Sequence, residues 1–433
     1  MCGLLQSEKD IAEIRRIGMA KIYETEEKKE RVILVAVDLE YGTDVDYSLS
    51  ELSELAETAG AVTVGYMVQK REMVHPGTYI GKGKILELQF LVEQKQADAI
   101  VCDDELSPAQ ITNLQEQLQV KVIDRTVLIL DIFAAHARTS EGKLQVELAQ
   151  LRYRASRLVG LGKSLSRLGG GIGTRGPGEK KLEMDRRLIK ERISILNRQM
   201  KEVVRNRDTQ RQKRSRNQMP SVAIVGYTNA GKSTLLNALT QANVLEEDML
   251  FATLDPTTRV LEMEDGQKIL FTDTVGFISK LPHQLIRAFR STLEEAKYAD
   301  LILHVVDASN PDCDLQMEIV YDTLRELEIG DKKVITAFNK IDCLESGQES
   351  IRKDLKSDAT VCISAKNGDG LNELLETVDK VLNEGMVQIE KLIPYEEAGK
   401  IQMIREYGKL EQEEYREDGI FIKASVPPQI VSK

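Results

Sequence analysis

A chain of 433 residues with 42% hydrophobic residues and a formal net charge of −11 is too long for one hydrophobic core, so two to four domains of roughly 50 to 200 residues are expected. Five cysteines without C-x-x-C spacing argue against a disulfide framework and a structural zinc site, which points to a reducing, cytoplasmic compartment. The first residues lack the apolar run of a signal peptide and no segment approaches about twenty apolar residues, so stable membrane insertion is not expected.

From Arg31 to about Arg138 the apolar runs RVILVAV, AVTVGYMV, DAIVC and VKVID alternate with SLSELSELAETAG, ILELQFLVEQK and SPAQITNLQEQL. Strands separated by amphipathic helices predict a parallel α/β sheet. YIGKGK at Tyr79 to Lys84 reads as a turn and helix start, with phosphate or RNA contact as the lesser alternative. From Glu141 the period becomes helical, with Leu144, Leu148, Leu151 and Leu158 on one face. After a glycine-rich stretch it resumes with Leu182, Ile189, Ile193, Leu196, Met200 and Val203, a coiled-coil spacing. Two such stripes predict an antiparallel helical hairpin with LGGGIGTRGPGEKK, which holds six glycines, near its tip. RNRDTQRQKRSRNQMP reads as a basic connector to a new domain opening at about Ser221.

Charge is concentrated in that hairpin: Arg152 to Arg216 holds 20 Lys or Arg against 6 Asp or Glu. Such a block is where a polyanion would be met, although a solvated basic helix face is the plainer alternative. The glycine-rich segment resembles a phosphate loop but lacks the spacing G-x-x-x-x-G-K-[ST]. That spacing occurs later, in VAIVGYTNAGKSTLLNAL, between a buried strand and an amphipathic helix. There Gly226, Tyr227, Thr228, Asn229, Ala230 and Gly231 would surround phosphates with backbone N–H groups, Lys232 would reach the β and γ oxygens, and Ser233 would ligate Mg²⁺.

VITAFNKID ends a strand in Asn339, Lys340, Ile341 and Asp342. The Asp342 carboxylate can accept from both guanine N1–H and the N2 amino group, a pair of donors adenine lacks. Ser364, Ala365 and Lys366 follow the next strand, where a backbone N–H can meet guanine O6 and Lys366 can cover the base. KILFTDTVGF supplies Asp273, which can hold Mg²⁺ through water, then Thr274, Val275 and Gly276, whose N–H can bind the γ-phosphate. Thr253, Thr257 and Thr258 of FATLDPTTR are all possible Mg²⁺ ligands on spacing alone. Phe277 stands where many GTPases carry a water-orienting glutamine, so intrinsic hydrolysis should be slow. Lys232 and Gly276 are then the catalytic candidates. Asn229 either assists a K⁺ ion, as its place three residues before the lysine resembles potassium-assisted GTPases, or satisfies its own loop backbone.

These elements in this order resemble the translation-factor-related GTPases, and nearly the whole chain resembles the HflX family of ribosome-associated GTPases. TYIGKGK, CDDELSPAQ, RTSEGKLQVELAQLRYR, GGGIGTRGPGE and FATLDPTTR carry the narrower resemblance. It implies that Thr253 is the magnesium-binding threonine and that Phe251, Ala252, Leu254 and Asp255 join the GTP/GDP site. It also implies that the glycine-rich tip meets large-subunit ribosomal RNA, with Arg175, Lys180 and Lys181 as phosphate contacts. The expected architecture is α/β: an N-terminal α/β domain (1–140), a basic helical hairpin (141–217), a P-loop GTPase domain (218–385) and a small α/β appendage (386–433) read as strand, helix, strand. The expected function is a monomeric GTP-hydrolysing switch on the large ribosomal subunit that splits or rescues ribosomes under stress. Subunit biogenesis and a GTP-gated scaffold for a protein partner are the alternatives.

Overall fold

The computed structural model describes residues 29–39, 44–166, 177–216, 219–240, 250–251, 253–263, 266–282, 295–330, 332–344, 353–384 and 386–426. Ala252 and the glycine-rich segment through Gly176, with Arg175, lie outside the described residues; Lys180 and Lys181 are described in backbone only.

The first sheet is parallel, with β1 (Arg31–Leu39), β2 (Val62–Arg71), β3 (Ala99–Cys102) and β4 (Lys121–Asp124) in the order β2-β1-β3-β4. Its helices are α1 (Val45–Thr58), α2 (Lys82–Lys95), α3 (Pro108–Leu118) and α4 (Arg125–His136). β1 is apolar from Val32 to Val37 because both of its faces are covered there: Ile33, Val35 and Val37 pack with Ile85, Leu88 and Leu114, whereas Val32, Leu34 and Ala36 pack with Leu49, Leu52 and Ile129. The second of these clusters continues into Tyr227, Phe277 and Ile302 of the nucleotide-loop sheet. One core therefore spans both sheets.

Helices α5 (Ser140–Ser166) and α6 (Pro177–Arg216) run antiparallel. Their cross-links, Glu141 to Arg207 (3.0 Å), Arg152 to Asn197 (3.0 Å) and the Leu158 carbonyl to Arg186, pair the start of α5 with the far part of α6 and later positions of α5 with earlier ones of α6. Leu148 and Leu196 are buried in the seam, while Met184 and Leu188, off the coiled-coil stripe, are exposed. The basic stretch read as a connector is helical through Arg216. Arg, Lys and Gln favour helix, and no proline interrupts before Pro220.

The second sheet contains β5 (Ser221–Gly226), β6 (Thr257–Glu262), β7 (Lys268–Asp273), β8 (Leu301–Asp307), β9 (Lys333–Asn339) and β10 (Ala359–Cys362), ordered β10-β9-β8-β5-β7-β6. Only β6 runs antiparallel to its neighbour. Helices α7 (Lys232–Thr240), α8 (Cys313–Glu326) and α9 (Leu371–Asn383) accompany it. Beyond them lie β11 (Val387–Ile393), α10 (Gly399–Tyr407), β12 (Lys409–Arg416) and β13 (Gly419–Val426), with the strands in an antiparallel sheet ordered β11-β13-β12. The expected strand, helix, strand gains β12, whose sequence KLEQEEYR lacks an apolar alternation because it is a solvated edge.

His304 is an ionisable residue in the middle of β8, paired with Val225 on β5 and Thr336 on β9. Its ring meets Tyr321 edge-on at 5.2 Å. Burial depresses its pKa to about 4, with Asp354 offsetting part of the effect. A folded value below the unfolded one of about 6.5 gives stability that is complete above the unfolded pKa and is lost as pH falls through 6.5 toward 4. His304→Leu should therefore remove about 2 kcal/mol of the loss in unfolding free energy between pH 7 and 5, as read by urea melts of both proteins.

Candidate active site

The phosphate loop leaves the C-terminal end of β5, where open α/β sheets bind ligands. Gly226 passes so close to β8 that a Cβ would lie 2.2 Å from the Val305 carbonyl. At Gly231, φ is +89° and a Cβ would lie 2.3 Å from Asn339 Nδ2. Asn229 takes a left-handed φ of 59° with its side chain exposed, a conformation asparagine tolerates better than most residues. Lys232 is buried, and its ammonium donates to the Tyr227 carbonyl at 2.6 Å. Burial lowers its pKa to about 8, partly countered by Asp273. The DTVG segment lies against this loop: Phe277 N–H donates to Gly226 O (3.1 Å) and Thr228 N–H to Phe277 O (2.8 Å). At Gly276 a Cβ would be 2.9 Å from Thr228 Cα and 3.1 Å from Lys232 Nζ, so glycine lets the backbone approach the lysine.

Ser233, Thr253 and Asp273 come together. Ser233 Oγ lies 2.8 Å from Thr253 Oγ1 and donates to Asp273 Oδ2 at 2.7 Å. Asp273 is fully buried and, among the described residues, its Oδ1 has no hydrogen-bond partner. Burial pushes its carboxyl up, against Lys232 and the Ser233 and Thr253 hydroxyls. Two hydroxyls and a buried, half-unsatisfied carboxylate form a hard oxygen set that fits a small divalent cation. Thr258 instead faces Thr272 across β6 and β7 at 3.0 Å, and Thr257 lies in β6 opposite Asp273.

At the ends of β9 and β10, Asn339 ties two loops together. Its Nδ2 donates to Ala230 O and its Oδ1 accepts from Ala365 N–H, each at 2.9 Å. Asp342 is exposed, and its Oδ1 accepts from the Ser364 hydroxyl at 2.6 Å, which holds the carboxyl below its usual range. Lys340 pairs with Asp307 at 2.8 Å, and Lys366 is exposed.

The side chains of several sequence candidates make contacts away from the phosphate loop. The Tyr227 side chain turns away from the loop and donates to Glu51. Phe251 and Leu254 are buried, Phe251 edge-on to Phe133 of α4 at 4.6 Å. The Asp255 carboxylate faces Arg138 and Thr139 before α5, accepting from their N–H groups at 3.0 and 2.8 Å. Phe277 is 3% exposed, within the core shared by the two sheets.

Sequence reasoning missed the partners supplied by the first sheet. Arg125, 1% exposed, donates to Asp103 at 2.9 Å, to Glu51, and to Ser279 O and Oγ at 3.2 and 3.1 Å. Glu51 also accepts from Tyr227 and Ser279, while Lys280 pairs with Asp103 and, at 3.2 Å, Asp104. Burial favours neutral Asp103, but Arg125, Lys280 and the Ser48 hydroxyl outweigh it and hold the carboxyl below its usual range. The available signal was Glu51 itself, a carboxylate on the helix face that carries Ser48, Leu52 and Leu55.

Family profiles match in succession: "GTP-binding GTPase N-terminal" over residues 46–134, "GTP-binding GTPase Middle Region" over 136–214, and "50S ribosome-binding GTPase" over 221–340. The chain is 61% identical to the GTPase HflX of Lacrimispora saccharolytica over 95% of this chain and 97% of that one. It is 52% identical to the GTPase HflX of Caldanaerobacter subterraneus subsp. tengcongensis, covering 93% and 92%. It is 46% identical to that of Alkalihalophilus pseudofirmus, covering 90% and 91%.

Arg125→Leu leaves Glu51 buried without its cation and Asp103 with Lys280 alone, and should destabilise the protein by about 3–5 kcal/mol. Urea unfolding at neutral pH measures this. Adding Glu51→Gln and Asp103→Asn should recover part of the loss, since the cost lies in uncompensated charge.

Proposed function

The chain belongs to the HflX family of GTPases and hydrolyses GTP to GDP and phosphate, and we propose that it is a nucleotide-controlled switch acting on the large ribosomal subunit. In this reading the GTP form docks, the ribosome stimulates hydrolysis, and the output is separation or rescue of stressed ribosomes. The single observation that carries the nucleotide chemistry is the convergence of Ser233, Thr253 and Asp273 beside Lys232. The excess of 20 basic over 6 acidic residues from Arg152 to Arg216 supports an RNA partner.

Ser233 and Thr253 would hold Mg²⁺ directly and Asp273 through water. When bound, the ion neutralises charge on the phosphates. The Lys232 ammonium and Gly276 N–H stabilise the γ-phosphoryl oxygens, and the Asp342 carboxylate takes both guanine donors. Asn339 does not read the base in this scheme; it braces the phosphate loop against the loop that covers the base. Phe277 cannot orient water, and its burial supports slow hydrolysis without a partner. No helix of the described residues is long and apolar enough to cross a membrane. Potassium assistance at Asn229 would appear as faster turnover in K⁺ than in Na⁺ at matched ionic strength.

Asp342→Asn should transfer preference from guanine to xanthine nucleotides, because the amide donor meets the xanthine O2 acceptor. Nucleotide competition that retains the GTP preference would refute the base assignment. Large ribosomal subunits should accelerate turnover of the intact protein. Replacing Gly169 to Gly178 by a short Gly-Ser turn should retain GTP binding and slow basal hydrolysis while removing that acceleration. In cosedimentation, neutralising Arg175, Lys180 or Lys181 should flatten the log–log salt slope by about 0.7 to 0.9 for each cation that meets a phosphate.

A further inference from the structure

The segment Thr253–Asp255 touches two parts of the molecule. Thr253 lies over Ser233, as described above. Two residues on, the Asp255 carboxylate accepts from Arg138 N–H, Thr139 N–H and the Thr139 hydroxyl. Thr139 in turn caps α5, its Oγ1 accepting from Gly142 N–H at 2.9 Å and its carbonyl from Lys143 N–H at 3.0 Å.

Three features make this contact specific. Pro256 follows Asp255 and disfavours helical backbone there, which narrows the directions its carboxylate can take. A Cβ at Gly142 would lie 2.4 Å from Asp255 Oδ1, so the first turn of α5 leaves room for the carboxylate. The carboxylate also meets the positive end of the helix dipole. Between the two contacts, Leu254 is 3% exposed and packs in the common core, so the segment is fastened between them.

We propose that Asp255 is a positioning residue for GTP hydrolysis: by binding the start of the hairpin helix through Thr139, it holds Thr253 over Ser233, and the hairpin thereby senses the nucleotide. The proposal rests on the reading of Ser233 and Thr253 as the metal-holding pair. Linkage is reciprocal, so a triphosphate that recruits Thr253 tightens the Asp255 contact, and a partner that disturbs the base of the hairpin loosens Thr253.

The tests use the full chain. In the wild type, hydrogen exchange of peptides covering Arg138 to Lys143 should be slower with a non-hydrolysable GTP analogue and Mg²⁺ than with GDP; equal protection overturns the proposal whatever the variants do. Asp255→Ala, Thr139→Ala and Gly142→Ala should each reduce the preference for triphosphate over diphosphate about tenfold, read by competition with fluorescent nucleotides. Each should also raise the Mg²⁺ concentration needed for half-maximal hydrolysis. Thr139→Ser, which keeps the hydroxyl, should restore wild-type values. A purely structural cap would lower the melting temperature without moving nucleotide preference or Mg²⁺ dependence, and that result overturns the proposal. Thr253→Ala separates the two failures. If it is defective while Asp255→Ala is normal, the positioning role fails alone. If Thr253→Ala retains wild-type preference and Mg²⁺ dependence, the metal-site reading fails and the positioning role with it.

Discussion

Arg125 carries a charge with 1% exposure, and a buried guanidinium must be surrounded by acceptors because desolvation costs several kcal/mol. Glu51, Asp103 and Ser279 supply them from α1, the end of β3 and the segment after DTVG. The same carboxylate of Glu51 accepts from Tyr227 inside the phosphate loop, and Ser279 N–H donates to the Tyr227 hydroxyl at 2.8 Å. Satisfying one cation thus fixes the first sheet, the phosphate loop and the DTVG segment relative to one another. Burial drives the Tyr227 phenol far above its ordinary pKa, with Glu51 adding to the effect, so it remains a neutral donor.

That constraint explains why phenylalanine occupies position 277. Its backbone bridges to the phosphate loop, and its side chain fills the core between the sheets. A glutamine there would bury an amide in an apolar cluster unless it turned outward, at a cost of about 1–3 kcal/mol if unpaired. The residue that many GTPases use for chemistry is here part of the joint between two sheets. The slow unaided hydrolysis proposed above would follow from that packing, because no water-orienting side chain stands at this position.

The strands and the phosphate loop were legible because their signals are local. Apolar runs define β1, β5 and β9, and G-x-x-x-x-G-K-S has meaning only between a strand and a helix. The extent of α6 was less legible, since RNRDTQRQKRSR has no apolar period and its helicity rests on propensity and continuity with the preceding turns. β6 and β12 escaped for a related reason: both are half-solvated edge strands whose polar residues resemble loops. The site partners were least legible. Glu51 and Ser279 are 228 residues apart, and only the packing of one sheet on the other brings them together. Asp255 enters the site candidates through the resemblance carried by FATLDPTTR; its carboxylate contact with Thr139, 116 residues away, has no local signal.

The two links between the nucleotide site and the rest of the molecule differ in strength. Breaking the buried Arg125 cluster strands charges away from water, a cost of about 3–5 kcal/mol. The Asp255 link resembles a helix cap at the surface, worth about 0.5–2 kcal/mol, and water can replace its hydrogen bonds when it opens. Under the proposed switch, loss of the γ-phosphate would loosen the Thr253–Asp255 contact with the hairpin before the buried cluster of Tyr227, Ser279 and Arg125, because the surface link is the weaker of the two. Unequal strengths of this kind would let the hairpin respond while the phosphate loop stays braced.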